Sequence, residues 1–147
     1  MTYEKLTAAG SVQINVIDAK TGQILQVETD KNLVVNLGRE NVAKLIGGDP
    51  LGAAVTKVAF GDNGTPPNLE DTAITNPFTK AIDSVVYPAP NKVQFSFSLG
   101  ESEANGLNIY ELGLITSENT LFSRKTRALI AKDSSVIITG IWTITIN

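Results

Sequence analysis

Apolar and polar residues alternate along several stretches of this chain, the pattern of strands with one buried face. Over Ser11–Asp18, Val12, Ile14 and Val16 point one way while Gln13 and Asn15 point the other. Asp18-Ala19-Lys20-Thr21-Gly22 supplies turn chemistry, and alternation resumes over Gln23–Thr29 through Leu25 and Val27, so the two stretches read as a hairpin. Lys92–Leu99 alternates most cleanly, with Val93, Phe95, Phe97 and Leu99 against Gln94, Ser96 and Ser98. Together with Ala81–Tyr87 across Pro88-Ala89-Pro90-Asn91 it forms a second hairpin. Asn108–Ile115 and Leu121–Ile130 flank Thr116-Ser117-Glu118-Asn119-Thr120 as a third. In the final stretch Val136, Ile138, Trp142, Ile144 and Ile146 share one face, with Gly140 between them and Thr139, Thr143 and Thr145 opposite. Ile137 and Ile141 interrupt that polar face, which marks them as packing under a loop or against a partner.

One segment changes period. Val42, Leu45 and Ile46 recur at helical spacing, with Asn36 as N-cap and Gly47-Gly48 as stop. This predicts a short helix whose apolar face covers one end of the core. Thr56–Phe60 reads as a further strand, and Gly61-Asp62-Asn63-Gly64-Thr65-Pro66-Pro67-Asn68 as a loop, because its glycines permit positive φ and its prolines remove ladder donors. Leu69–Thr79 has no clear period and is expected to cross the surface. The sum is a mainly β domain over 1–147: an antiparallel β-sandwich of roughly eight or nine strands with one short α-helix.

Composition narrows the function. A chain of 147 residues buries roughly 70% of its unfolded surface and needs no staples. Charged residues are only 18%, which leaves surface for neighbours. A net charge of −3 argues against a phosphate-backbone binder. With no cysteine and no histidine, thiolate catalysis, cysteine-ligated zinc and the commonest general base are excluded. No apolar leader follows Met1-Thr2-Tyr3-Glu4-Lys5, and no apolar run approaches the ~20 residues of a membrane span. The chain is therefore expected to be made in a cytoplasm, with no membrane and no nucleic acid as partner.

Catalytic constellations are not evident. There is no Gly-x-Ser-x-Gly elbow and no phosphate-binding Gly-x-x-x-x-Gly-Lys loop. Glu101 and Glu103 share one flexible loop rather than facing across a cleft. Asp62-Asn63-Gly64 lacks the spaced acids of a calcium loop and reads as a turn. The expectation is a protein that is not an enzyme and holds no cofactor and no metal. Trp142 sits on an apolar strand face and is expected in the core. Arg124, Lys125, Arg127 and Lys132 form the one basic cluster and read as a solvated strand edge. Glu111 and Arg124 stand almost symmetrically about Ser117-Glu118, so a tight hairpin sets them side by side as a bidentate ion pair that fixes register.

Two stretches carry a resemblance. One is Asn32-Leu33-Val34-Val35-Asn36-Leu37-Gly38-Arg39, followed by the short helix and Val58-Ala59-Phe60-Gly61-Asp62-Asn63-Gly64-Thr65-Pro66. The other is Glu111-Leu112-Gly113-Leu114, then Leu121-Phe122-Ser123-Arg124, then Ile141-Trp142-Thr143-Ile144-Thr145-Ile146. Their order and spacing resemble small virion structural proteins of tailed bacteriophages, found among tail-fibre, collar and baseplate attachment components. The resemblance implies a virion-located homo-oligomeric adaptor that contacts copies of itself and other virion proteins. Loop tips carry such contacts on rigid β scaffolds, which selects Gly61, Asp62, Asn63, Gly64, Thr65 and Pro66, together with Ile137 and Ile141. Residues 1–10 are expected to form an arm that orders on assembly. The competing expectation is a carbohydrate- or receptor-binding β-sandwich module, which needs an exposed aromatic cluster built from residues such as Tyr3, Tyr87 and Tyr110.

Overall fold

In the computed structural model, which describes residues 4–147, the chain runs β1 (Ala8–Asp18), β2 (Ile24–Val34), α1 (Asn36–Gly47), β3 (Val55–Gly61), β4 (Phe78–Ala81), β5 (Ser84–Ala89), β6 (Lys92–Leu99), β7 (Asn108–Thr116), β8 (Leu121–Ala131) and β9 (Val136–Ile146). The strands form one antiparallel sheet in the order β4-β3-β7-β8-β2-β1-β9-β6-β5. It curls strongly into a half-barrel.

This corrects the expected two-sheet sandwich. Alternation tells which residues face inward, and a curled sheet and a sandwich place the same parity inside. What joins the two halves is β2. Most of its length pairs with β1, but Leu33 and Val34 pair with Arg124 and Ser123 of β8. At the opposite side the two margin strands, β4 and β5, are consecutive in the chain. Only Ile82 and Asp83 separate them, and their amides donate to Thr56 O (2.9 Å) and Ser96 O (2.8 Å). The sheet's two margins are thus tied together at one corner, which forces the curl.

The concave face holds the main core. Val12, Ile14 and Val16 of β1, Phe95, Phe97 and Leu99 of β6, and Ile138, Trp142 and Ile144 of β9 meet Val58 and Phe60 of β3 and Leu112 and Leu114 of β7. Phe97 stands edge-on to Phe60 at 5.9 Å and tilted to Trp142 at 6.4 Å. Gly140 makes this possible, because the Phe97 ring occupies the space a Cβ would take.

Strands β3, β7 and β8 are buried on both faces over much of their length. Their outer side carries a second, smaller core of Val35, Ala59, Ile74 and Leu121, covered by α1 and the 62–77 crossing. The helix seats itself differently from expectation. Asn36 is its first residue, and the capping position is Val35, with no side-chain cap. Gly48 closes it with φ of 74°. The buried residues are Gly38 and Asn41, whereas Leu45 and Ile46 are exposed. Gly38 allows the helix to lie directly against the Phe122 carbonyl, and the Asn41 amide exchanges two 2.9 Å hydrogen bonds with the Ala53 backbone. Close backbone approach and a satisfied amide set the helix rotation here, rather than the apolar stripe.

Strand β2 is also inverted relative to expectation. Its register against β1 sets Gln26, Glu28 and Asp30 opposite Val16, Ile14 and Val12, on the concave side of the sheet, where Glu28 is half-buried and Gln26 and Asp30 stay exposed. Val27 faces outward, and it and Leu25 are exposed.

Of the expected N-terminal arm, residues 1–3 lie outside the described residues. Thr7 exchanges 2.8 Å backbone hydrogen bonds with Asn147, and residues from Ala8 onward pair with β9, so that part is sheet rather than arm.

Candidate functional site

The Glu111–Arg124 pair forms the centre of a buried polar clamp on the outer face of β7 and β8. Glu111 is 0% exposed and Arg124 2%. They are not direct partners: Glu111 faces Thr126 and Arg124 faces Gly113. Irregularities in the β7–β8 ladder shift the register, and the long side chains meet along the diagonal. Contact is through Arg124 Nε to Glu111 Oε1 at 2.9 Å, rather than bidentate. The remaining valences go to the crossing segment. Arg124 Nη1 donates to Asp71 Oδ2 and Nη2 to Asn63 O, both at 2.9 Å. Glu111 Oε2 accepts from the amides of Asn63 (2.7 Å) and Thr75 (3.2 Å). Two side chains from one hairpin therefore hold both ends of the 63–75 crossing.

The clamp decides what the loop offers a partner. Gly61 is buried, and Asp62 and Asn63 are half-buried, while Gly64, Thr65 and Pro66 are exposed. Asn63 Oδ1 accepts from the Thr65 amide at 3.0 Å, and Tyr110 packs under Gly64. Of the six loop candidates, three form a presented tip on a fixed base.

The basic cluster is not a solvated edge. Arg124, Lys125, Arg127 and Lys132 are all buried. Each cation found an internal acceptor, which removes the reason to stay in water. Lys125 Nζ lies 3.1 Å from Glu28 Oε1 and 3.0 Å from Asp30 Oδ2. Arg127 Nη1 lies 2.7 Å from Glu28 Oε2, and Nη2 donates to Gln26 Oε1 at 2.7 Å. These contacts form a charged seam where β2 and β8 diverge beyond their two paired residues. The inward polar face of β2 and the basic residues of β8 complement one another. Lys132 Nζ instead donates to Asn105 Oδ1 and Asp133 O at 2.8 Å each, and burial lowers its pKa.

Asp30 makes the seam sensitive to acid. The Lys31 amide, and then Lys125, hold its carboxyl below the ordinary carboxylate value. A carboxyl with a depressed folded pKa contributes stability that is complete above its unfolded pKa, about 4, and is lost as pH falls through the folded value. Thermal melts in that acid range should therefore show a falling midpoint, and Asp30→Asn should flatten the slope.

Three exposed apolar surfaces remain. The outer face of β1, β2 and β9 carries Ile17, Ile24, Val27, Ile137 and Ile141, brought onto one side by the β1 register. Ile141 is exposed and Ile137 half-buried. At the helix end Leu45, Ile46 and Leu51 are exposed. On margin strand β5, Val85, Val86 and Tyr87 are 44%, 46% and 76% exposed. A groove of about 460 Å³ also opens between the start of β1, the end of β9 and α1, lined by Leu6, Val34, Val42 and Ile146 together with Lys5 and Arg39.

Among the described residues no group of three or more His, Cys, Asp or Glu is placed to hold a metal ion, and no helix is long and apolar enough to cross a membrane. Tyr87 is exposed on β5, Tyr110 is packed against Gly64, and Tyr3 lies outside the described residues. The chain matches no family model, no curated protein and no solved structure.

Proposed function

We propose that this chain is a non-enzymatic structural component of a tailed-phage virion, an oligomeric adaptor or attachment protein of the tail, collar or baseplate. The observation that carries the reading is the placement of exposed apolar side chains on ordered elements. Val27 and Ile141 lie on a sheet face, Val85, Val86 and Tyr87 on a margin strand, and Leu45 and Ile46 on a helix end. Large apolar side chains exposed on ordered elements favour association with other protein surfaces. The Glu111–Arg124 clamp adds a second support, since it stiffens a projecting loop without building a cleft. The resemblance of the Asn32–Pro66 and Glu111–Ile146 stretches to small tail components supplies the virion context.

A carbohydrate- or receptor-binding module is the alternative, favoured by the exposed ring of Tyr87. Sedimentation of the purified chain separates the two. The assembly reading expects a mass that is a multiple of 15.6 kDa. A monomer at every concentration that binds a defined glycan on an array establishes the alternative.

A further inference from the structure

The groove between α1 and the ends of β1 and β9 carries an electrostatic mismatch. Its walls are aliphatic, from Leu6, Val34, Val42 and Ile146, and the only charged residues lining it are basic, Lys5 and Arg39. Arg39 stands in the first turn of α1, where the helix dipole disfavours a cation and no acidic residue of that turn offsets it. The next residue, Glu40, is engaged by Lys44 at 3.0 Å. The chain has three arginines, and carboxylates hold the other two, Arg124 and Arg127. Arg39 and Lys5 take part in no ion pair among the described residues. The end of β9 passes beside the groove, but the Asn147 carbonyl is taken by the Thr7 amide at 2.8 Å. Two cations at an apolar groove are thus left without an anion.

We infer that this groove binds a single-chain alkyl carboxylate, its hydrocarbon against Val34, Val42 and Ile146 and its head held by Arg39 and Lys5. The inference goes beyond the assembly reading, and its failure leaves that reading untouched. Three features select the ligand. The walls carry no aromatic ring on which a sugar or a base would stack, and plain hydrocarbon suits them. A volume of about 460 Å³ lies at the small end of ligand sites, which run from ~300 to ~1,000 Å³, so one chain fits and a two-tailed lipid does not. The guanidinium fork of Arg39 matches a carboxylate, and Lys5 adds a second positive charge. A peptide segment, by contrast, would bring backbone amides that aliphatic walls leave without partners.

Isothermal titration calorimetry of the full chain with dodecanoate tests this, with dodecyltrimethylammonium as the probe of equal chain length and opposite charge, both below micelle formation. Dodecanoate is expected to bind at least ~10-fold more tightly, the scale of charge-assisted hydrogen bonds to its head. Arg39→Glu should weaken dodecanoate at least ~10-fold, since it turns that attraction into repulsion. The fold should survive it, because an acidic residue suits the first turn of a helix, and circular dichroism and the melting midpoint verify this. Lys20→Glu makes the same charge change on an exposed residue at the opposite end of the β1–β2 hairpin, and should leave affinity unchanged. No heat with dodecanoate, equal affinity for the two amphiphiles, or equal losses in Arg39→Glu and Lys20→Glu overturns the inference. Tighter binding of the peptide acetyl-Leu-Glu-Leu-Glu-Leu-amide overturns it in favour of a polypeptide occupant. Dodecanoate affinity that falls as protein concentration rises overturns it in favour of a second copy.

Discussion

Replacing Arg124 with methionine is expected to lower the unfolding free energy by about 3–5 kcal/mol, the range for breaking a buried ion pair from one side. The substitution leaves the Glu111 carboxylate at 0% exposure with only the Asn63 and Thr75 amides as donors. It also frees Asp71 and the Asn63 carbonyl, so the crossing segment loses its Arg124 contacts at positions 63 and 71. Exposed ion pairs contribute about 0–1 kcal/mol, so the effect distinguishes a buried clamp from a surface contact. Urea unfolding provides the measurement, read as a fall in midpoint at constant slope. Glu111→Gln should cost less, because the amide oxygen still accepts a hydrogen bond. Combining Arg124→Met with Glu111→Leu should be milder than the sum of the single changes, since it removes the stranded charge. A loss below about 1 kcal/mol for Arg124→Met contradicts the clamp. Limited proteolysis should locate the damage in the 63–75 crossing, whose local opening becomes easier without the anchors.

The second large effect is expected at the seam between β2 and β8. Glu28 contacts both Lys125 and Arg127, and Glu28→Ala leaves those two cations with one carboxylate, Asp30, and the neutral oxygens of Gln26, Thr126 and Ala128. Lys125 is 1% exposed, so its charge has little access to water. The Glu28 side chain retains 28% exposure, which admits solvent and reduces the cost below that of the clamp. The expected loss is about 2–3 kcal/mol, the scale of hydrogen bonds to charged groups. Raising the salt concentration should change it little, because partly buried pairs are weakly screened. Pairing Glu28→Leu with Arg127→Met should recover part of the stability, because the seam then holds one cation and one carboxylate, Lys125 and Asp30. Retained stability in Glu28→Ala alone means that β2 and β8 are joined by their two backbone pairings and by packing, not by charge.

These two sites show what the chain's pattern discloses and what it hides. The alternation in β1, β6 and β9 specifies strands and their buried faces directly, because Val12, Phe97 and Trp142 have apolar neighbours at every second position. The Glu111–Arg124 contact was legible from their symmetry about a turn, although ladder irregularities moved them from opposite to diagonal. Sheet membership was not legible. Parity is the same for a sandwich and a curled sheet, and the link depends on two residues, Leu33 and Val34, reaching β8. The pattern points to the wrong face of β2, because Leu25 and Val27 alternate as regularly as Gln26, Glu28 and Asp30. The deciding information lay elsewhere in the chain. Lys125 and Arg127 share the two-residue spacing of Glu28 and Asp30, and that match is the signal a paired reading of charge would use. The helix conceals its buried face for a related reason. Its apolar stripe ends in exposed Leu45 and Ile46, while Gly38 and Asn41 provide the close contact.

The proposed role gives the surviving apolar surfaces a purpose. A domain stiffened by the clamp and the seam can present Val85, Val86 and Tyr87 without local collapse. Rigidity at a contact surface lowers the ordering cost of association. The tip Gly64–Pro66 then stands free for a different neighbour in the particle.

Electron cryomicroscopy of intact virions purified from cells that express this chain is the most direct test of its proposed role. The account predicts density for curled nine-stranded sheets, repeated symmetrically at the tail, collar or baseplate. Virions assembled without any copy of the chain contradict it.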